Sequence, residues 1–178
     1  MKRLISVLCI TLAAIITSPA QWLGRPTDVP AYNEKGYAKG ESIPPVLTPG
    51  QLTYPETQYK LVQVHSYELA AKIPQVIYQQ PCYCYCDRGH GHKSLHSCFE
   101  SEHGGNCAVC MKELYYSYQM IQQKKTPEQI RMGIVSGEWQ QVNLDTAASI
   151  GLTPKTGVTP KTPVHKTAAK GSKKSPTT

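Results

Sequence analysis

One stretch of 30 residues, Pro81–Cys110, holds most of the side chains in this sequence that could bind a soft metal ion or exchange disulfides. It contains six of the seven cysteines and four of the six histidines in a chain of 178 residues. Thiolate sulfur and imidazole nitrogen are ligands that zinc and copper(I) favour in proteins. Cysteines at this density also occur as structural disulfides or as redox-active dithiols. Three kinds of chemistry therefore compete for the stretch: metal binding, thiol–disulfide exchange and structural cross-linking.

The first group of cysteines alternates with tyrosine. Cys82, Cys84 and Cys86 are separated by Tyr83 and Tyr85. In an extended segment, residues two apart point to the same side, so we expect three sulfurs on one face and two rings on the other. Such a row suits thiolates that converge on one ion. Disulfides between neighbours fit it less well, because Cα atoms two apart in a strand are separated by about 6.6 Å, near the upper limit for a bridge.

The second group is a CxxC motif at the expected start of a helix. Cys107 and Cys110 face the same way in the first turn, where unpaired backbone N–H groups lower the pKa of a thiol. This position suits a pair of metal ligands and a redox dithiol. In the redox alternative, Cys107 would be the attacking thiolate and Cys110 the resolving thiol. The sequence has no nucleophile elbow, phosphate-binding loop or identifiable triad, so any enzymatic activity would be thiol–disulfide exchange.

The histidines differ in their expected access to an ion. His90 and His92 flank a glycine in the flexible segment RGHGHK, and His103 approaches the CxxC turn. His96 lies in SLHSCF, which can start a short helix and leave the ring in solvent. His65 lies outside the stretch, and we expect it on the surface. The density of imidazoles beside six thiols favours metal binding over the other chemistries.

The motifs PCYCYC, GHKSLHSCF and HGGNCAVC, followed by TPEQIR, resemble the bacterial PCYCGC-motif proteins, also described as the CYCXC family of (seleno)proteins. The resemblance covers residues 64–140. These proteins are exported or lipid-anchored and have no established function. Carried over by position, the family pattern implies a metal-ligand set of Cys82, Cys84, Cys86, His92, Cys98, His103, Cys107 and Cys110. On this pattern His90 and His96 are secondary candidates.

Two features depart from that family. Tyr85 stands where many relatives have glycine, and the tyrosine makes the loop stiffer than glycine would. Cys9 is preceded by SVL rather than by a lipobox, so we expect no lipid anchor. The selenocysteine of some relatives implies that at least one position uses a softer, more easily oxidised chalcogen. That implication favours metal binding or redox chemistry over a purely structural disulfide at that position.

The elements that must position these side chains are expected to be helical. We predict a small, mainly α domain with three to four short helices around a Cys/His-rich loop that metal or disulfides cross-link. The first helix falls within ETQYKLVQVHSYELAAKIP, with Ser66 as its N-cap. The second is IPQVIYQQ, with Pro74 in its first turn, where the missing N–H costs little.

Two further helices follow the cysteine stretch. Asn106 is expected to cap a helix that runs through CAVCMKELYYSYQMIQQKK. Thr126 and Gln129 form a capping-box pattern at the start of TPEQIRMGIVSG. We expect Gly137 to end that helix and Trp139 to cover the end of the core. A domain of about 90 residues buries little apolar surface, so further cross-links are physically motivated.

Composition divides the chain into four segments. Residues 1–20 read as an export signal, with a basic start, an apolar run of 13 residues and a small-residue end, so cleavage is expected near Ala20. The apolar run is too short to cross a bilayer about 30 Å thick. Residues 21–56 form a Pro/Gly-rich lead-in, expected to be extended and disordered. Residues 57–145 form the helical domain, and residues 146–178 form a disordered basic tail. The mature protein is expected in the periplasm or outside the cell, without a transmembrane anchor.

The net charge of +7 comes from the two ends of the chain. Lys2 and Arg3 lie in the signal, and residues 151–178 contain six lysines and no acid, whereas the middle is nearly neutral. A nucleic-acid surface on the domain is therefore not expected. The tail is either a solvated spacer or a segment that makes weak contacts with acidic envelope polymers.

The function predicted from sequence is the binding of one or two soft metal ions, zinc or copper(I), with no organic cofactor. Eight ligands suffice for two four-coordinate sites, and Met111 beside Cys110 favours copper(I). The first alternative is an extracytoplasmic thiol–disulfide redox protein that uses the CxxC or CxCxC cysteines. The second is a module in which the six thiols form purely structural disulfides.

Overall fold

All regular secondary structure in residues 27–150, the part of the chain that the computed structural model describes, is helical. The prediction of a small, mainly α protein is thereby confirmed. Two 3-10 turns, Pro49–Gln51 and Glu138–Gln141, accompany the α-helices. The α-helices in chain order are α1 Lys60–Lys72, α2 Pro74–Ile77, α3 Cys86–Gly89, α4 Leu95–Cys98, α5 His103–Asn106, α6 Ala108–Gln122, α7 Pro127–Val135 and α8 Leu144–Ala147.

The longest helix, α6, is the centre of the fold. It packs against α1, α2, α4, α5, α7 and α8 and against the turn that contains Trp139. Leu69 of α1, Leu114 of α6 and Ile130 and Ile134 of α7 are fully buried between these elements. Each such side chain contributes about 1.5–3 kcal/mol when it is removed from water. The core therefore lies along α6, and the cysteine stretch is laid against one end of it.

Tyrosine hydroxyls tie the core to the segment that carries His103. The Tyr67 hydroxyl donates to the Ser101 carbonyl at 2.7 Å and accepts the N–H of Gly105 at 3.1 Å. The Tyr54 hydroxyl donates to the carbonyl of Glu102 at 2.8 Å. Tyr67 is fully buried on α1. Its two bonds therefore fix residues 101–105, just before α6, to α1.

Two predicted N-caps are wrong. Ser66 lies inside α1, which begins at Lys60, and its hydroxyl donates to the carbonyl of Gln63 at 2.6 Å. Asn106 ends α5, and the N-cap of α6 is Cys107. In both cases tertiary packing outweighs the local preference of a polar side chain for a helix start.

The predicted start and end of α7 are confirmed. Thr126 accepts the N–H of Gln129 at 3.2 Å, and the Gln129 side chain accepts the N–H of Thr126 at 3.0 Å, which is a capping box. Gly137 follows the helix in the left-handed region at φ 84°, a conformation that glycine adopts without strain. Trp139 is buried at the end of the core, as expected.

The described part of the lead-in is irregular, with a turn at residues 39–40 and the 3-10 turn at Pro49–Gln51. It nevertheless makes specific bonds to the helical domain that the sequence did not predict. Leu47 N–H donates to the Phe99 carbonyl at 2.9 Å, and the side-chain amide of Asn33 donates to the Tyr78 carbonyl at 2.9 Å. These bonds hold part of the lead-in against α2 and α4.

The proposed signal and the basic tail beyond residue 150 lie outside the described residues. Export, cleavage near Ala20 and contacts of the tail with acidic polymers therefore stay predictions. Within residues 27–150, no helix combines the length and the apolar character that a membrane span requires.

We expect the Tyr67→Phe substitution to lower the free energy of unfolding by about 1–3 kcal/mol, because the buried Gly105 amide loses its acceptor. Denaturant unfolding followed by circular dichroism measures this. Tyr59→Phe is the matched control, because Tyr59 is 52% exposed and lies just before α1. Its effect should stay below about 0.5 kcal/mol. Equal losses in the two variants would contradict the proposed tie.

Candidate metal centre

Five of the candidate ligands lie at or near the ends of helices. Cys86 begins α3, Cys98 ends α4 and His103 begins α5. Cys107 is the N-cap residue of α6, and Cys110 follows in its first turn. Cys86, Cys98 and Cys110 are buried, whereas His103 and Cys107 are half-buried. The five side chains converge on one region at the start of α6.

Two glycines allow His103 to approach the core closely. A Cβ atom on Gly104 would lie 2.7 Å from the ring of Phe99, and one on Gly105 would lie 2.4 Å from the hydroxyl of Tyr54. Both distances are below ordinary van der Waals contact, so residues with side chains do not fit this turn. The two glycines of HGGN therefore let the turn that carries His103 pack directly against Phe99 and Tyr54.

The PCYCYC segment is bent, and the predicted extended row of three sulfurs is wrong. Tyr85 adopts a left-handed conformation (φ 58°, ψ 34°), which turns the chain between Cys84 and Cys86. Their Cα atoms lie 5.6 Å apart and the two residues form a disulfide, against the expectation that neighbours would not pair. The Tyr85 ring packs under the guanidinium of Arg88 at 4.1 Å. This contact helps to hold a conformation that is costly for a residue other than glycine.

Three sulfurs meet where this loop faces α6. Cys82 Sγ lies 3.3 Å from both Cys84 Sγ and Cys110 Sγ, and Cys84 Sγ lies 3.5 Å from Cys110 Sγ. Sulfurs bound to one tetrahedral zinc ion are separated by about 3.8 Å when each Zn–S bond is about 2.3 Å. The three sulfurs are therefore already close to the spacing of ligands around a single ion.

Histidines join the remaining sulfurs on the other side of the cluster. His103 Nε2 lies 3.1 Å from Cys86 Sγ, and His92 Nδ1 lies 3.3 Å from Cys98 Sγ. The sulfurs of Cys86 and Cys98 are 3.8 Å apart. Two cysteine sulfurs and two imidazoles are thus grouped in the proportion common in structural zinc sites.

Among the described residues, the ligand atoms form three overlapping sets, each with all its atoms within 4.8 Å of one another. All eight positions implied by the sequence resemblance fall in at least one set. The sets are Cys82, Cys84, Cys86, Cys98 and Cys110; Cys84, His103, Cys107 and Cys110; and Cys86, His92, Cys98 and His103. Each of these Cys/His groups could hold a metal ion.

Three of the histidines within residues 27–150 lie outside these sets. His96 is buried, and its Nδ1 lies 2.9 Å from a carboxylate oxygen of Glu100. His90 is exposed, with its ring centroid 5.0 Å from that of His103. His65 is buried rather than on the surface, because it lies on the face of α1 that meets α6, where its Nδ1 is 3.0 Å from the hydroxyl of Tyr115. The surface prediction for His65 is wrong.

Hydrogen bonds at the start of α6 divide the cysteines into thiolates and thiols. A bond from Cys110, with the backbone N–H groups of Cys110 and Val109, lowers the pKa of Cys107 to about 6 despite its partial burial. The Cys110 thiol donates hydrogen bonds to Cys107 and Cys82, and these bonds raise the pKa of Cys110. Burial opposes ionisation of Cys82, but hydrogen bonds from Cys110, Cys98 and Glu113 together hold its pKa well below the ordinary value. A bound metal ion would displace the protons that these sulfurs share in their hydrogen bonds.

His92 is held in the form that binds metals. Burial lowers its pKa, and the neighbouring His103 and His90 rings lower it further. The imidazole is therefore neutral at pH 7, with one nitrogen lone pair available for an ion.

A buried carboxyl that sequence reasoning missed anchors the loop. Glu113 is fully buried on α6, one turn after Cys110, and its Oε1 accepts the N–H of Tyr83 at 2.8 Å. Burial raises its pKa well above the ordinary value, and the nearby Cys82 raises it further, which favours the protonated carboxyl. The available signal was an acidic residue three positions after Cys110, on the face that carries the CxxC cysteines.

In the metal-free protein with the Cys84–Cys86 disulfide intact, we expect iodoacetamide to alkylate Cys107 with a midpoint near pH 6, because the thiolate is the reactive form. Cys110 should react at a higher pH, because its pKa is raised and it is buried. Peptide mass spectrometry between about pH 5 and pH 9 distinguishes the two sites. A midpoint near the ordinary thiol value of about 8.5 for Cys107 would contradict the assignment.

Comparison with known proteins gives a family and no closer relative. Neither the curated proteins nor the solved structures yield a match to the chain. The family model described as a protein of unknown function with the PCYCGC motif matches residues 51–141, just over half of the chain. That motif has glycine at the position of Tyr85, and a left-handed backbone is the conformation that glycine adopts without strain. The chain therefore belongs to the family of PCYCGC-motif proteins, whose function is unknown.

Proposed function

We propose that this protein binds one or two soft metal ions, zinc or copper(I), through its Cys/His cluster. The observation that carries the proposal is the convergence of six sulfurs and two imidazoles into three overlapping ligand sets. Sulfur–sulfur distances of 3.3–3.8 Å outside the disulfide support it, because a tetrahedral ion requires a similar spacing. Structural disulfides alone would leave the imidazoles beside Cys86 and Cys98 without a role.

Two four-ligand sites account for all eight side chains. One consists of two cysteines and two histidines, and the other consists of four cysteines that lie around the start of α6. Both compositions are among those that zinc adopts in closed tetrahedral sites, and the thiolate-rich site also suits copper(I). The first ligand group, Cys86, His92, Cys98 and His103, is one of the three sets. The second, Cys82, Cys84, Cys107 and Cys110, combines members of the other two sets, which share Cys84 and Cys110.

The disulfide between Cys84 and Cys86 sets the condition for loading. A sulfur in a disulfide is not a thiolate, so one ligand of each proposed site is lost while the bond exists. Reduction by a thiol consumes two electrons and returns both sulfurs as thiols, which release their protons when the ion binds. The metal-bound form is therefore the reduced form.

A second candidate function, thiol–disulfide exchange, is favoured by one arrangement. Cys110 Sγ lies 3.5 Å from Cys84 Sγ of the disulfide, and Cys107 beside it has a pKa of about 6. In this alternative, the Cys107 thiolate attacks a substrate disulfide and releases one substrate thiolate. Cys110 then attacks the Cys107 sulfur, which forms the Cys107–Cys110 disulfide and releases the second substrate thiol.

We expect the reduced chain to bind about two zinc ions and His103→Gln to lose one of them or to bind it at least tenfold more weakly. Elemental analysis gives the count, and competition with a chromophoric chelator gives the affinity. His65→Gln is the matched control, because His65 is buried against Tyr115 and belongs to no ligand set among the described residues. It should keep the full count. Absence of both bound zinc and bound copper(I) in the unchanged chain, each offered separately, would refute metal binding.

The same proteins separate the two candidate functions. If thiol exchange is the activity, the chain should reduce a disulfide-bonded test protein over many cycles when an excess of a small-molecule thiol regenerates the Cys107–Cys110 dithiol, and Cys107→Ala should abolish this turnover. If metal binding is the function, we expect negligible turnover and an intact zinc count in the unchanged chain. Repeated turnover without bound metal would replace the first proposal by the second.

A further inference from the structure

Three imidazole rings lie together at the solvent edge of the cluster. The ring centroid of His103 lies 5.0 Å from that of His90 and 5.1 Å from that of His92, and the His90 and His92 centroids are 5.7 Å apart. His90 is exposed, whereas the other two rings are half-buried. His92 and His103 each also direct one nitrogen to a cluster sulfur, Cys98 and Cys86 respectively. The two inner rings therefore lie between His90 and the thiols.

The spacing of the rings matches that of imidazoles around one ion. With a metal–nitrogen bond of about 2.0–2.1 Å and tetrahedral angles, the ring centroids of two bound histidines are separated by about 5.2 Å. The three observed separations bracket this value. Within residues 27–150, no hydrogen bond fixes the His90 side chain, so its ring is free to turn a nitrogen toward an ion.

An open cleft leads to these rings. It has a volume of about 580 Å³, and His90, His92 and the exposed Lys93 are part of its lining. A second cavity, which Pro30 and Ala31 line together with Cys82, Cys86 and His92, has no space for a water molecule. An ion from solvent therefore has a route through the open cleft and none through this second cavity.

We propose that His90, His92 and His103 form an outer site that receives a zinc or copper(I) ion and passes it to the thiolates of Cys86 and Cys98. This inference rests on the proposed metal-binding function and assigns a path to it. In the transfer, the sulfurs of the reduced Cys86 and Cys98 replace the His90 nitrogen at the ion, while His92 and His103 remain ligands. The two thiols release their protons to solvent, and no electron is exchanged.

The test measures loading rate and final zinc count separately. Reduced, metal-free protein is mixed with zinc carried by a weak chromophoric chelator, and stopped-flow absorbance follows the transfer. We expect His90→Gln to load about tenfold more slowly than the unchanged chain and to reach the same final zinc count. His65→Gln, the same substitution away from the cleft, should load at the unchanged rate.

Each other outcome overturns the inference in a recognisable way. An unchanged loading rate in His90→Gln would show that the ion takes another route. A lower final count in His90→Gln would make His90 a permanent ligand and not a transient one. Failure of the unchanged chain to take up either zinc or copper(I) would refute the underlying metal-binding function. Equally slow loading of His65→Gln would show that the lower rate is not specific to the cleft, and would also overturn the inference.

Discussion

The hydrogen bond from the Tyr83 amide to the buried Glu113 carboxyl fixes the PCYCYC loop against α6. Glu113 lies on the face of α6 that carries Cys110, so the same helix sets the position of the loop and of the CxxC sulfurs. With the loop held there, Cys82 Sγ reaches Cys110 Sγ at 3.3 Å. Breaking the bond would leave a buried amide without an acceptor, which costs about 1–3 kcal/mol. The position of Cys82 beside the CxxC cysteines therefore depends on this contact.

The cluster and the core support each other. Helices of one turn, such as α3, α4 and α5, are not stable alone in water, because nucleation costs more than one turn returns. They persist here because α6 and the Tyr67 hydroxyl hold the segment around them, and because their ends meet at shared sulfurs and imidazoles. A cross-link at Cys86 and Cys98 would join α3 to α4 directly. In a small domain such a cross-link supplies stability that the limited buried apolar area does not provide.

Sequence reasoning reached the helical class, the capping box at Thr126 and the identity of the residues that converge, the last through a family resemblance. It failed where distant packing decides the local structure. The alternation of cysteine and tyrosine favours an extended segment. Because residues other than glycine rarely adopt a positive φ, the sequence does not predict the one found at Tyr85. Glu113 is fully buried although acids rarely are, and the burial of His65 requires knowing which face of α1 meets α6.

The lead-in crosses the PCYCYC loop close to the sulfurs. Ala31 N–H donates to the Asp87 carboxylate at 3.0 Å, the Tyr85 hydroxyl contacts the Asp28 carbonyl, and Arg88 pairs with the Asp28 carboxylate. Any residues placed before Asp28 therefore begin beside the cluster, and each extends the reach of the chain by about 3.3–3.6 Å. A polyhistidine purification tag fused there would bring a row of competing imidazoles within reach of the thiolates. Metal recovered with a protein tagged there would then report the affinity of the tag as well as that of the cluster.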